Sequence, residues 1–188
     1  LCRAILGRMI EVKIAIRVLR VSMFVTFFSL KLYAKVNAQD DLKNKFGDRE
    51  GCFLLIDNKS GEKIVEYNPQ RCSRRFPPCS SFKIPLAFIS FEESVFSDPS
   101  TPISWDKKKR NREVSNRDQT PKSWIKDSIV WVSEVVVGQL KSTTLNDYLR
   151  KFSYGNADIS AGGLFWIDSS LEISAREQVK FLRGLWGN

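Results

Sequence analysis

The chain has 188 residues and a formal net charge of +9, a length that suits one domain. The charge is uneven. Residues 1–38 hold seven Lys/Arg and one Glu, and the remainder holds 23 basic and 20 acidic residues, so the basic excess does not point to a nucleic-acid partner. There is no His; with no Cys-x-x-Cys either, no metal site is expected.

Lys13, Arg17 and Arg20 precede an apolar run over residues 21–30, and Val36-Asn37-Ala38 puts small residues at a cleavage position. This is the layout of a secretory signal. Residues 1–38 are expected to be a signal peptide and 39–188 the domain proper, in a protein that is exported to the periplasm or secreted. The run is short for a bilayer span, so any membrane contact would come through the uncleaved signal. Of the four cysteines, Cys2 would leave with the leader. Cys72 and Cys79 flank a short loop, and either pair in an oxidising compartment or stay as buried thiols.

Residues 40–46 are polar and predicted helical. Gly51 to Asp57 and Glu62 to Tyr67 predict the two strands of a hairpin around the turn Asn58-Lys59-Ser60-Gly61. Residues 68–79 predict a loop. A helix begins only after Pro77-Pro78, because proline biases the residue before it to extended geometry, and it runs to about Glu93. Residues 96–120 are polar, and the run Lys107 to Arg110 is expected to be a solvated loop. Thr120 as N-cap with Pro121 behind it starts the next helix, which continues through Val130 to Val137. The β-branched residues there leave a strand possible. Residues 144–152 predict another helix, Tyr154-Gly155-Asn156 a turn, and 157–173 a Gly/Ser-rich loop with Phe165-Trp166. Ser174 and Glu177 form a capping box that opens the last helix, with Val179, Phe181, Leu182 and Leu185 mostly on its apolar face.

The stretch with chemistry is Cys79-Ser80-Ser81-Phe82-Lys83-Ile84-Pro85-Leu86. Residues three apart share a helix face, so Lys83 reaches Ser80. Backbone N–H groups in a first helical turn lack intrahelical partners and are free to donate to an oxyanion. Apolar neighbours desolvate Lys83 and lower its pKa; a neutral amine is a base that activates a serine without histidine. Ser-x-x-Lys recurs along the chain, as at Ser60…Lys63, Ser80…Lys83 and Ser123…Lys126, and of these only Lys83 has apolar neighbours on both sides. The alternative is that Ser80 merely caps a helix and Lys83 snorkels to the surface.

From Gly51 to Trp186 the chain resembles the class D β-lactamases. The resemblance rests on Tyr67-Asn68-Pro69, Pro78 to Pro85, Asn116 to Thr120, Ser128-Ile129-Val130, Tyr154-Gly155-Asn156 and Phe165-Trp166, in the family's order and at about its spacing. It implies a serine β-lactamase/transpeptidase-like fold of the α/β (α+β) class, an antiparallel sheet flanked by a mainly helical region. It implies a β-lactam substrate, with Ser80 as the nucleophile that forms an acyl-enzyme. Lys83 would be the general base, carrying CO₂ as a carbamate, with no other cofactor. Ser128 would relay a proton to the leaving nitrogen. Val130 would be an apolar wall, Trp166 the carbamate's donor, and Phe82 part of its surroundings. Tyr154, Gly155 and Asn156 look architectural.

The family's Lys-Thr-Gly strand has no counterpart, since Lys59-Ser60-Gly61 precedes the nucleophile. The sequence is therefore expected to be truncated at Asn188, without the strands that complete the sheet, and to fold and act poorly as it stands. Three functions stay open beside one another: a β-lactamase, a β-lactam-sensing receptor domain, and an inactive remnant. A transpeptidase is disfavoured, because its second element is usually Ser-x-Asn.

Overall fold

A computed structural model describes residues 38–167 and 170–186. Of the expected signal segment, 1–38, residues 1–37 lie outside the described residues. The chain packs as two compact units, Leu1–Pro69 and Gln70–Asn188.

In the first unit, residues 38–46 are helical. The hairpin follows: β1 (Phe53–Ile56) pairs antiparallel with β2 (Lys63–Tyr67), Phe53 facing Tyr67 and Leu55 facing Val65. Its turn is held locally. Asp57 Oδ1 accepts from Ser60 N at 2.7 Å and from Ser60 Oγ at 2.8 Å, the usual use of an Asp side chain to close a turn. The helix and the hairpin form as predicted, and they pack on each other: Phe46 stacks on Tyr67 with ring centroids 5.1 Å apart, and Gln39 Nε2 donates to the Glu66 carbonyl.

The stretch expected to be a loop over 68–79 is ordered instead. It forms α1 (Pro69–Ser73), then β3 (Arg75–Phe76), which pairs antiparallel with β4 (Ile173–Ser174). That partner lies about a hundred residues on, and no local pattern announces it. The pairing is reinforced by Arg75, whose Nε donates to Glu177 Oε2 at 3.0 Å, and by Arg71 and Arg74, whose guanidinium carbons lie 4.3 and 5.1 Å from the Phe76 ring centre.

The second unit is organised around α2 (Lys83–Glu92), entered through a 3₁₀ turn, Cys79–Phe82. The helices α3 (Pro121–Asp127), α4 (Val130–Gln139) and α5 (Ser142–Lys151) all pack on α2. Phe82, Leu86, Ile89, Trp124, Val132, Val136, Leu145 and Leu149 are fully or almost fully buried in one core. The start of α3 is as predicted: Thr120 Oγ1 accepts from Ser123 N at 3.2 Å and Ser123 Oγ accepts from Thr120 N at 2.8 Å. The continuation is not. The helix breaks at Ser128, which takes left-handed φ 54°, ψ 50°, and restarts at Val130 as α4. There the β-branched residues are helical because Val132 and Val136, four apart, share a buried face; packing overrides their strand preference. The last helix, α6 (Ala175–Trp186), opens on the predicted cap, Glu177 N donating to Ser174 Oγ and Ser174 N to Glu177 Oε2.

The expected class, α+β with antiparallel pairing and a mainly helical region, is what the structure has, although the strands among the described residues form two separate two-stranded sheets. Among the described residues no helix is long and apolar enough to cross a membrane. Cys52 and Cys72 are each in a disulfide, whereas Cys79 is a free, exposed thiol, so the Cys72–Cys79 pairing is corrected. Cys79 is taken up elsewhere: its N–H donates to the Trp166 carbonyl at 2.8 Å and its Sγ sits 3.6 Å from the Ile167 carbonyl.

Candidate active site

The 3₁₀ turn and the break at Ser128 bring two serines and a lysine together. Ser128 Oγ lies 3.0 Å from Ser80 Oγ, and Lys83 Nζ lies 3.4 Å from the same oxygen. Both turns depend on left-handed non-glycine residues, Cys79 at φ 48° and Ser128 at φ 54°. Such backbones cost roughly 1–3 kcal/mol each and persist only where the surroundings impose them. At Cys79 the surroundings are its bond to Trp166. At Ser128 they are Arg112, which donates to the carbonyls of Asp127 at 2.8 Å and Ser128 at 3.4 Å.

Lys83 is 3 % exposed and does not snorkel. Burial pushes its amine below the ordinary lysine range, the charge of Arg112 pushes the same way, and Cys79 opposes them. Ser80 caps no helix: the N-cap positions are Pro78 and Phe82, and neither makes a side-chain cap bond. Ser80 is exposed at the surface, so its hydroxyl is open to a ligand while the lysine beside it is buried. A neutral, desolvated amine against an accessible hydroxyl can take its proton.

Phe82 lies behind this group, fully buried, stacked on Trp166 at 5.4 Å and edge-on to Phe165 at 5.4 Å. Trp166 is 1 % exposed and reaches the Ser80 turn through its backbone. Val130 opens α4 two residues past Ser128, and its side chain is exposed. Tyr154 is buried in contact with Phe82 and Phe181; burial holds its phenol well above the usual range, with Ser81 opposing. Gly155 has φ +58°, and a Cβ there would sit 1.9 Å from the Glu172 carbonyl oxygen, so only glycine fits. Asn156 stitches the Trp166 loop shut: Nδ2 donates to the Ser170 carbonyl at 2.8 Å, and Oδ1 accepts from Glu172 N at 3.0 Å. The structure thus gathers Ser80, Lys83 and Ser128, with Phe82 and Trp166 packed together behind, and uses Tyr154, Gly155 and Asn156 as scaffold.

The rival motifs do not assemble. Ser60 Oγ donates to Asp57, and Lys63 pairs with Glu66. Ser123 Oγ donates to Gln119 Oε1 at 2.7 Å, and Lys126 is exposed. Ser133, part of a second Ser-x-Val, is buried and accepts from Trp124 Nε1 at 3.0 Å. Sequence reasoning missed Arg112, which lies in a polar run with nothing local to mark it, and the backbone role of Cys79.

Residues 34–187 match the penicillin binding protein transpeptidase domain, a class that fits a serine and lysine on the leading turns of a buried helix. Among curated relatives, β-lactamase OXA-1 of Escherichia coli is 36% identical over 163 residues, 81% of this chain and 59% of that protein. β-Lactamase OXA-2 of Salmonella typhimurium is 31% identical over 175 residues, 89% of this chain and 64% of that protein. The solved class D β-lactamase of Bacillus subtilis superposes with a TM-score of 0.73 at 35% identity, over 77% of this chain and 61% of that one. The chain belongs to the penicillin-binding protein transpeptidase domain family, on its class D β-lactamase branch. It spans about three fifths of the length of these relatives.

Proposed function

We propose that this chain carries the acylation centre of a serine β-lactamase. Ser80 attacks the β-lactam carbonyl, the ring C–N bond breaks, and the acyl group stays on Ser80. Lys83 takes the Ser80 proton, and Ser128 passes a proton to the departing ring nitrogen. Water then releases the acid and restores Ser80. The observation that carries this reading is the contact of one exposed hydroxyl, Ser80 Oγ, with both a buried amine and a second hydroxyl.

Lys83 also suits CO₂ uptake, because only a neutral amine adds CO₂ and burial favours that form here. CO₂ on Nζ would supply an anionic base there, with Trp166 as the indole donor that holds it and Val130 at its edge. The protein is exported, a reading supported by the signal-like segment before residue 39. The substrate is a penicillin-type β-lactam.

The test uses the full chain with a fluorescent penicillin and with nitrocefin, in degassed buffer and in buffer with bicarbonate. Covalent label on Ser80, lower without bicarbonate and restored by it, is expected, and nitrocefin turnover separates hydrolysis from acylation alone. Label that never turns over points to a β-lactam-sensing receptor domain or an inactive remnant instead, and no label on Ser80 overturns the proposal.

A further inference from the structure

Arg112 lies outside every motif of the site, yet its guanidinium ends on it. Its Nη2 donates to the Asp127 carbonyl at 2.8 Å and its Nη1 to the Ser128 carbonyl at 3.4 Å. These are carbonyls at the C-terminal end of α3, where backbone acceptors lack helical partners and a cation is favoured. They also belong to the residue in the left-handed turn, Ser128, and to its neighbour. Without a clamp, Ser128 would relax toward the right-handed region and its hydroxyl would swing off Ser80.

We propose that Arg112 is a positioning residue of this centre: its planar fork grips two successive carbonyls and fixes the turn that holds Ser128 Oγ against Ser80 Oγ. The fork matters, because a lysine offers one point charge where arginine offers donors in a rigid plane. The same cation acts on Lys83. Among the described residues, the charged or titratable groups that bear on Lys83 are Arg112, which disfavours its protonation, and Cys79, which favours it. Arg112 therefore performs two separable tasks, one geometric and one electrostatic. Both rest on the acylation chemistry proposed above.

The separation gives the test. Labelling of Ser80 by a fluorescent penicillin is followed from pH 5.5 to 9 in the full chain and in Arg112→Lys and Arg112→Met. Protonated Lys83 is inactive, so the labelling rate rises with pH through the Lys83 pKa. Removing a neighbouring cation raises that pKa, and the acid limb of Arg112→Met moves to higher pH; a shift of one unit is tenfold at a fixed pH on the limb. Arg112→Lys keeps the limb in place but lowers the plateau, by about tenfold to a hundredfold for a misplaced proton relay. Arg117→Met, which removes a neighbouring arginine whose guanidinium donates to the Asp127 side chain, leaves rate and limb unchanged. A wild-type plateau in Arg112→Lys overturns the positioning role, and this variant decides the matter if Arg112→Met does not fold. A wild-type limb in a folded Arg112→Met overturns the electrostatic role. Trace acetylation of Lys83, read by mass spectrometry, follows the amine directly. If penicillin labels no variant but acetylation of Lys83 still shifts in Arg112→Met, the β-lactam reading fails while the action of Arg112 on Lys83 stands.

Discussion

The same spacing of serine and lysine recurs along the chain, and three of the regions that carry it come to different ends. In the hairpin turn, Ser60 bonds to Asp57, three residues before it, and Lys63 to Glu66, three residues after. At the start of α2, Ser80 bonds to Ser128, 48 residues away, and Lys83 is buried. At the start of α3, Ser123 is consumed by its capping box. The lesson is that spacing supplies only proximity. What distinguishes the Ser80–Lys83 pair is that its lysine is buried and its serine meets a hydroxyl from a distant part of the chain. Both come from packing: Phe82 and the Trp166 loop close in behind, and the broken helix delivers Ser128 in front.

The sharpest way to break this comparison is to remove the serines one at a time. Ser80→Ala is expected to abolish labelling by a fluorescent penicillin, while Ser60→Ala and Ser123→Ala retain it; label surviving in Ser80→Ala would move the nucleophile elsewhere. Next in size is Gly155→Ala, in the scaffold of the Trp166 loop. A Cβ 1.9 Å from a carbonyl oxygen on a left-handed backbone is expected to cost at least about 2 kcal/mol, seen in a denaturant melt of the second unit. A melt within 0.5 kcal/mol of wild type would mean that the loop is not what holds this region.

Glu177 gives a pH test of the same dependence on distant partners. Its bond to Arg75, together with those from Ser174, holds the carboxyl down to about 2 against the cost of its burial. The folded value lies below the unfolded one, so the stabilisation is full above the ordinary Glu range and is lost as pH falls toward 2. Glu177→Gln is expected to cost about 1–2 kcal/mol at pH 7, the half-exposed Arg75 limiting the gain, and to flatten the acid limb of the melt. An unchanged acid limb would remove this pair from the ledger of the fold.

The smallest effect separates the lysines. Lys83 has a lowered pKa in the fold, so the charge-linked cost of its burial vanishes at very high pH and grows as pH falls below the unfolded value. Lys83→Met is therefore expected to lose labelling yet stabilise the fold by about 1 kcal/mol at pH 7, and by less at pH 11. Lys126→Met, at an exposed position, should stay within about 0.5 kcal/mol. A Lys83→Met variant less stable than wild type would show that the amine is held by bonds that outweigh its desolvation.

By itself the sequence determined what is decided within a turn of chain. The hairpin around Asp57 and Ser60, the Thr120–Pro121 start of α3 and the Ser174–Glu177 cap of α6 are all settled by partners three or four residues apart, and all were legible. So was the reach from Ser80 to Lys83, together with the order of motifs that marks the family. The tertiary structure alone decided which Ser-x-x-Lys is buried, because burial is a property of everything packed around a residue. It decided that the helix breaks at Ser128, where a clamp from Arg112 and contact with Ser80 offset a backbone strain that α-helical continuation would avoid. It paired Phe76 with Ile173, and it left Cys79 free by turning it toward Trp166 and Ile167. Each of these joins residues far apart in the chain, where local propensity carries no information and only the shared core selects the partner.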